Sequence, residues 1–211
     1  MEARLPTTLG LLMWDRPASA RPGAALVAGD EPESMRFSSF DNANRGRIDL
    51  PRTLPEFTSL TVVENPSGPA PQPAAVEGLV GAFTFERTPR PGQGSLTDEA
   101  TNGLQLVLIS PKDPAAGQDL RDWADFVHIR HIAEAAVPGF RMITPYVNIS
   151  DEGPRFLHFY EMHTDDPEAA FQDMTPRVAK RLGGRDSDAF AAWAWHPELR
   201  IDYVNTFRRV H

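Results

Sequence analysis

Runs and alternations of apolar residues divide the chain into two unlike halves. In the first, four short extended segments stand out: Thr8 to Trp14 (TLGLLMW), Met35 to Phe40, Thr58 to Glu64 (TSLTVVE) and Leu79 to Arg87 (LVGAFTFER). Their β-branched and aromatic content predicts strands. Prolines punctuate the stretch, among them Pro17, Pro32, Pro51, Pro66, Pro73 and Pro89, and exclude long helices there. Thr88 to Asn102 (TPRPGQGSLTDEATN) is polar, rich in Gly and Pro and without an apolar face, which marks it as a linker.

The second half is regular. Leu104 to Ile109 (LQLVLI) reads as a strand, Gly117 to Ala136 as a helix and Gly139 to Ile149 as a strand, with a turn over Ser150 to Pro154. Phe156 to Met162 (FLHFYEM) is a further strand. Asp166, Pro167 and Glu168 then supply an N-cap, a first-turn proline and an early acid for a helix that stops near Leu182 at Gly183 and Gly184. A short aromatic segment, Ala189 to Trp195, precedes a last strand, Leu199 to Arg209.

Strand, helix, strand, strand, helix, strand is the ferredoxin-like α+β order, a four-stranded antiparallel sheet with both helices on one face. Both alternating residue sets of its strands are apolar: Leu157 and Phe159 on one side, Phe156, Tyr160 and Met162 on the other. The sheet therefore needs a cover on its second face as well. Glu56 to Gly68 aligns with Arg155 to Pro167, and Ala82 to Arg90 with Asn205 onward. The first half then reads as a degenerate, helix-poor copy of the second, its first helix shortened into Ala18 to Asp30 and its second cut out between Pro66 and Glu77. The expected division is a half over 1–90, a linker over 91–102 and a βαββαβ half over 103–211. If the first half fails to supply the second sheet, a homodimer must.

Composition narrows the chemistry. The 211 residues are 41% hydrophobic, enough for a sizeable core. There is no cysteine, which removes disulfides, thiolate metal sites and cysteine nucleophiles. A formal charge of −8, with acids and bases interleaved, argues against nucleic acid as a partner. No apolar run approaches the ~18 residues of a membrane span, and the N-terminus lacks a secretory pattern, so the expectation is a cytoplasmic protein without a membrane partner. Nucleotide-binding, serine-hydrolase and zincin motifs are missing.

Asp122 to Ile132 reads DWADFVHIRHI, Val137 to Phe140 reads VPGF, and Phe159 to Glu161 reads FYE. These motifs, in this order, resemble the EthD-type dimeric α+β barrel family over about the last hundred residues. Ala124, Arg130 and His131 depart from the family pattern. The resemblance implies a barrel enclosing a pocket between two sheets, in a superfamily that includes cyclases, dehydratases, cofactor-free monooxygenases and haem-binding enzymes acting on aromatic or polyketide-like molecules of secondary metabolism. It also marks His128 as the helix histidine of the pattern.

Asp125 lies three residues before His128 and shares its flank of an α-helix, so it is placed to orient that imidazole as an acid/base pair. The plainer alternative has His128 donating to a backbone carbonyl. His131 with His128 forms an HxxH pair, but no third ligand is evident and no metal is expected. His158 and Tyr160 share one side of their strand, as Thr144 and Tyr146 share one side of theirs. Polar groups on buried strands belong where they line a ligand cavity, which places both pairs inside the barrel. Trp123, Phe156 and Trp195 complete an aromatic lining, with Trp195 in a segment that folds as a lid or packs as core.

The first expectation is a cofactor-independent cyclase, dehydratase or isomerase acting on an apolar aromatic or polyketide-type metabolite. His128, Asp125, His158 and Tyr160 would be its catalytic residues, and Tyr146, Thr144, Trp123, Phe156 and Trp195 its substrate contacts. The alternatives are a cofactor-free oxygenase, a haem enzyme with His128 or His158 as axial ligand, and a non-catalytic small-molecule-binding protein.

Overall fold

The β-branched and aromatic runs of both halves become neighbours in one sheet. A computed structural model describes residues 8–20, 36–64, 76–88, 93–94 and 101–210. The first half supplies β1 (Thr8–Trp14), β2 (Arg36–Asn42), β3 (Ser59–Glu64) and β4 (Leu79–Arg87). After a short β5 (Gln93–Gly94) the second half supplies β6 (Gly103–Pro111), β7 (Phe140–Asn148), β8 (Phe156–Met162) and β9 (Leu199–Arg209). The order is β4-β1-β3-β2-β9-β6-β8-β7, and β4 pairs back onto β7, with Phe85 opposite Asn148 and Arg87 opposite Tyr146. The result is a closed antiparallel α+β barrel. Each half lays down its strands in the same relative order: last, first, third, second.

A single chain thus closes the barrel, and closure itself requires no second subunit. The segment expected to be a plain linker contributes β5, whose Gln93 and Gly94 pair with Ile143 and Met142. Of the shortened helix expected from Ala18 to Asp30, a 3₁₀ turn at Ala18–Ala20 is present, and the remainder lies outside the described residues. So does most of the stretch between Pro66 and Glu77.

Alternation decides the two faces of the barrel. Leu11, Leu60 and Phe85 of the first half meet Leu106, Leu157 and Phe207 of the second in the interior, all fully buried. Where the sequence suggested a ligand chamber, the described residues of the interior pack as a hydrophobic core. A closed sheet leaves no exposed edge along this seam, which removes a route to aggregation.

The helices lie on the outer face of the second half's sheet. α1 (Gly117–Trp123), a π-helical stretch (Ala124–Ile129) and α2 (Arg130–Glu134) run on as one helix. Its buried positions, Leu120, Ala124, Asp125, Ile129 and Ile132, slip by one residue at Ala124 and Asp125, the signature of a residue accommodated by a π-turn. α3 (Pro167–Arg181) starts as expected: the Asp166 carboxylate accepts from Ala169 N at 3.0 Å, and Pro167 takes the first turn. The aromatic segment is itself a helix, α4 (Asp188–Ala194), capped by Ser187, whose Oγ accepts from Phe190 N at 3.0 Å.

One loop of the first half crosses over to this helix layer. Residues 43–58 form a strap held at two points. Arg47 is buried against Glu168 and Asn205, with its guanidinium 4.4 Å above the Phe171 ring. Further along, Thr53 N and Leu54 N donate to Asp202 O at 3.0 and 3.1 Å. Between these clamps the strap spans the outer face of β9.

The β7–β8 turn adds a further constraint. Gly153 has φ +103°, and a Cβ there would sit 2.2 Å from Phe83 Cε1. Gly153→Ala should therefore destabilise the fold by about 2 kcal/mol, from the disfavoured backbone and the clash together. Chemical denaturation checks this, and an unchanged midpoint would rule out the close packing of this turn on β4. Among the described residues, no helix is long and apolar enough to cross a membrane.

Candidate functional site

The sheet of the second half and its helices do not pack flush. Between them lies a cavity of about 250 Å³. Its sheet wall carries Gln105 and Val107 of β6 and His158 of β8, and its helix wall carries Trp123, His128, Phe171 and Trp193. Trp195, half-exposed, and Leu50 of the strap stand at its margin.

His128 is the most constrained polar group of the helix wall. It lies within the π-helical stretch, a feature found often at functional sites. Its ring stacks on Trp193 with centroids 4.9 Å apart and planes 5° from parallel, and Trp123 tilts over it at 5.1 Å. Its Nδ1 is 3.0 Å from the Trp193 carbonyl oxygen, and the Trp193 indole donates back to the His128 carbonyl at 3.0 Å. A carbonyl can only accept, so Nδ1 carries the proton and Nε2 keeps a bare lone pair. Burial lowers the His128 pKa from 6.5 to about 4, opposed by the bond to Trp193 and assisted by His131. The imidazole is neutral at neutral pH.

His158 is the more deeply buried of the two, 3% exposed. Burial, followed by the proximity of His128 and Arg121, lowers its pKa to about 3. Behind it sits buried Asp125, with Oδ1 3.7 Å from His158 Nε2 and Oδ2 3.8 Å from Arg121 Nε. The Asp125 carboxylate thus lies nearer His158, beyond hydrogen-bond distance, and the expected pairing with His128 is not formed. π-helical winding splays residues three apart further than α-helical winding does, and the partner of His128 is the Trp193 carbonyl.

The remaining candidates divide by face. Tyr160 is on the helix side of β8, packed against Ile129, Ile143 and Met174, and its hydroxyl pKa is raised by burial and then by Asp125. Phe156 shares that side but packs with Leu120 and Ala124, beside the cavity. Tyr146 belongs to the barrel interior, and the alternation of β7 puts Thr144 there too. Neither reaches the cavity, contrary to the expected grouping. His131 turns to Glu134, at 3.3 Å. Among the described residues no three His, Asp or Glu side chains converge as a metal would need. Sequence reasoning passed over Gln105, although a lone amide inside the apolar run LQLVLI was the available signal.

No family model matches the chain, and no curated protein matches it in sequence. Solved structures do match in fold. An anthrone oxidase-like protein superposes with a TM-score of 0.56 at 16% identity, over 97% of this chain and 90% of that one. A mutant chlorite dismutase from Candidatus Nitrospira defluvii gives 0.52 at 8% identity, over 99% and 93%. A monooxygenase-like protein from Fusobacterium nucleatum subsp. nucleatum gives 0.50 at 8% identity, over 97% and 92%. The fold defines the class: an α+β barrel of the dimeric α+β barrel type. Identities this low carry the fold and leave the chemistry to the site.

Haem is the cofactor that the sequence left as an alternative. His128 and His158 are suitable ligand types, but Trp193 and Trp123 cover the His128 ring, and about 250 Å³ is below the ~300–1,000 Å³ of cavities for drug-sized ligands. A tetrapyrrole would have to displace those indoles, and the residues present do not fit it. The cavity is narrow and lined largely by aromatic and aliphatic side chains.

Proposed function

We propose that this chain is a cofactor-independent enzyme that deprotonates a small hydroxylated aromatic substrate in the helix-side cavity and lets dioxygen react with the resulting carbanion. The observation that carries this reading is the bare Nε2 of a neutral His128 in a cavity lined mostly by aromatic and aliphatic side chains. A neutral imidazole accepts a proton, and positioned acid/base groups typically contribute ~10²–10⁴ in rate. The anion formed then stabilises the imidazolium across a low-dielectric gap, while Nδ1–H stays on the Trp193 carbonyl.

The balance of acids and bases separates the candidate reactions. A dehydratase or cyclase needs a donor that protonates a leaving or ring-closing oxygen. With His128 at about 4 and His158 at about 3, both histidines of the cavity wall are neutral near pH 7 and bring no proton to give. Oxygenation needs no external acid. His128 takes one proton from a ring CH₂, and the carbanion bonds O₂ as a peroxide. The imidazolium returns the proton, and the hydroperoxide loses water to give a carbonyl, so R₂CH₂ + O₂ becomes R₂C=O + H₂O. The fold likeness to an anthrone oxidase-like protein is in keeping with this chemistry, as is the EthD-type pattern at residues 122–161. The strand order shared by the two halves supports reading the chain as a fused pair of ferredoxin-like units.

Oxygen uptake with a panel of hydroxyanthrones tests the proposal. One O₂ should disappear per substrate, chelators should have no effect, and the purified protein should show no Soret band. Turnover at the same rate without oxygen would overturn the oxygenation step in favour of a lyase or isomerase.

A further inference from the structure

Gln105 lies on β6 between Tyr160 of β8 and Thr206 of β9 in register, and it forms part of the cavity's sheet wall. Only 2% of it is exposed. Its Oε1 is fully buried and has no hydrogen-bond partner among the described residues. A buried carbonyl oxygen left in this state is costly, and folded proteins avoid it unless something else satisfies it. Neighbouring donors are committed elsewhere: the Trp193 indole N–H goes to the His128 carbonyl and the Trp123 indole N–H to the Ala192 carbonyl. Among the described residues, none on the helix wall donates a hydrogen bond to Gln105 Oε1.

The cavity therefore has the Gln105 amide on its sheet wall and His128 on its helix wall. As the amide stands, Oε1 is closed to the cavity, and a half-turn about the last side-chain bond exchanges it with Nε2. We propose that Gln105 is the specificity-determining residue of the pocket, its amide turning to pair with a ring hydroxyl distant from the proton that His128 removes. This rests on the proposed function and deepens it: the substrate class is a fused-ring aromatic carrying a free hydroxyl at the end remote from the reacting carbon. A site built to pair with a hydroxyl discriminates strongly against the analogue that lacks it, because the buried acceptor is then left unpaired.

Calorimetric titration of the full chain with a dihydroxynaphthalene, and with the naphthol lacking one hydroxyl, tests this without any mutation. The diol should bind about ten- to hundredfold more tightly, although the naphthol is the more apolar molecule. In Gln105→Met, close in size, that preference should vanish, and the ligand-free variant should melt at a higher temperature than wild type because an unsatisfied polar atom has gone. Equal affinity for diol and naphthol in the wild-type protein overturns the assignment of Gln105 and leaves the proposed function standing. A lower melting temperature in Gln105→Met, with the diol preference retained, also overturns it, since that is the behaviour of a structural amide. If neither aromatic binds, the proposed function falls together with the inference.

Discussion

Replacing His128 with alanine should lower kcat/KM for a hydroxyanthrone by about 10²–10⁴ while leaving a folded barrel. The loss follows from the tautomer. Nδ1–H is committed to the Trp193 carbonyl at 3.0 Å, so Nε2 is the basic atom, and no other side chain on the helix wall replaces it. Because His128 also sits between Trp123 and Trp193, His128→Gln is the companion variant: it fills more of the slot but cannot take up a proton at neutral pH. Both should lose turnover, whereas packing alone would let the larger side chain rescue it. In the wild-type enzyme kcat/KM should stay level from neutral pH down to about 5 and fall to half near pH 4, where His128 takes up a proton in the free enzyme. Turnover in His128→Ala within a factor of two of wild type would sink the proposed mechanism.

The second large effect is on stability. His128 and His158 are held neutral in the fold, at about 4 and about 3, against 6.5 when solvated. Below pH 6.5 protons therefore bind the unfolded chain first, and stability falls with pH until the folded values are reached. At pH 5 each histidine costs about 2 kcal/mol, so the pair removes roughly 4 kcal/mol from a fold of ordinary stability, about 5–15 kcal/mol. Glu161 acts in the opposite sense: its carboxyl pKa is raised by burial, so its protonation favours the folded chain. Denaturation midpoints measured between pH 7 and pH 5 should drop steeply, and His158→Phe should remove about half of the drop. A flat profile across that range would show that neither histidine is buried as described.

Much of this architecture was legible in the sequence. The strands β1, β3, β4, β8 and β9 follow from β-branched and aromatic runs, and α3 follows from Asp166, Pro167, Gly183 and Gly184. His128, His158, Trp123 and Trp195 were identified and do share one cavity. What failed is instructive. Period-two alternation separates Leu157 from His158 but cannot say which face is the barrel interior when both are apolar, so Tyr146 and Thr144 were grouped with the wrong wall. Asp125 was matched to His128 on α-helical spacing, and the π-turn undid that pairing. The strap depends on contacts such as Arg47 to Asn205, 158 residues apart, and no local pattern encodes a contact of that reach.

The pairing of β4 with β7 has a consequence for how the binding site is counted. Where two identical chains make such a barrel, symmetry obliges every wall residue to appear twice, and each substitution alters both sites. Here the seam is internal, and the helix-covered cavity lies on the second half, with Leu50 of the strap at its margin. A titration should saturate at one ligand per barrel without cooperativity, and the first half is free to drift in sequence so long as its strands still meet their neighbours and its strap still reaches the cavity.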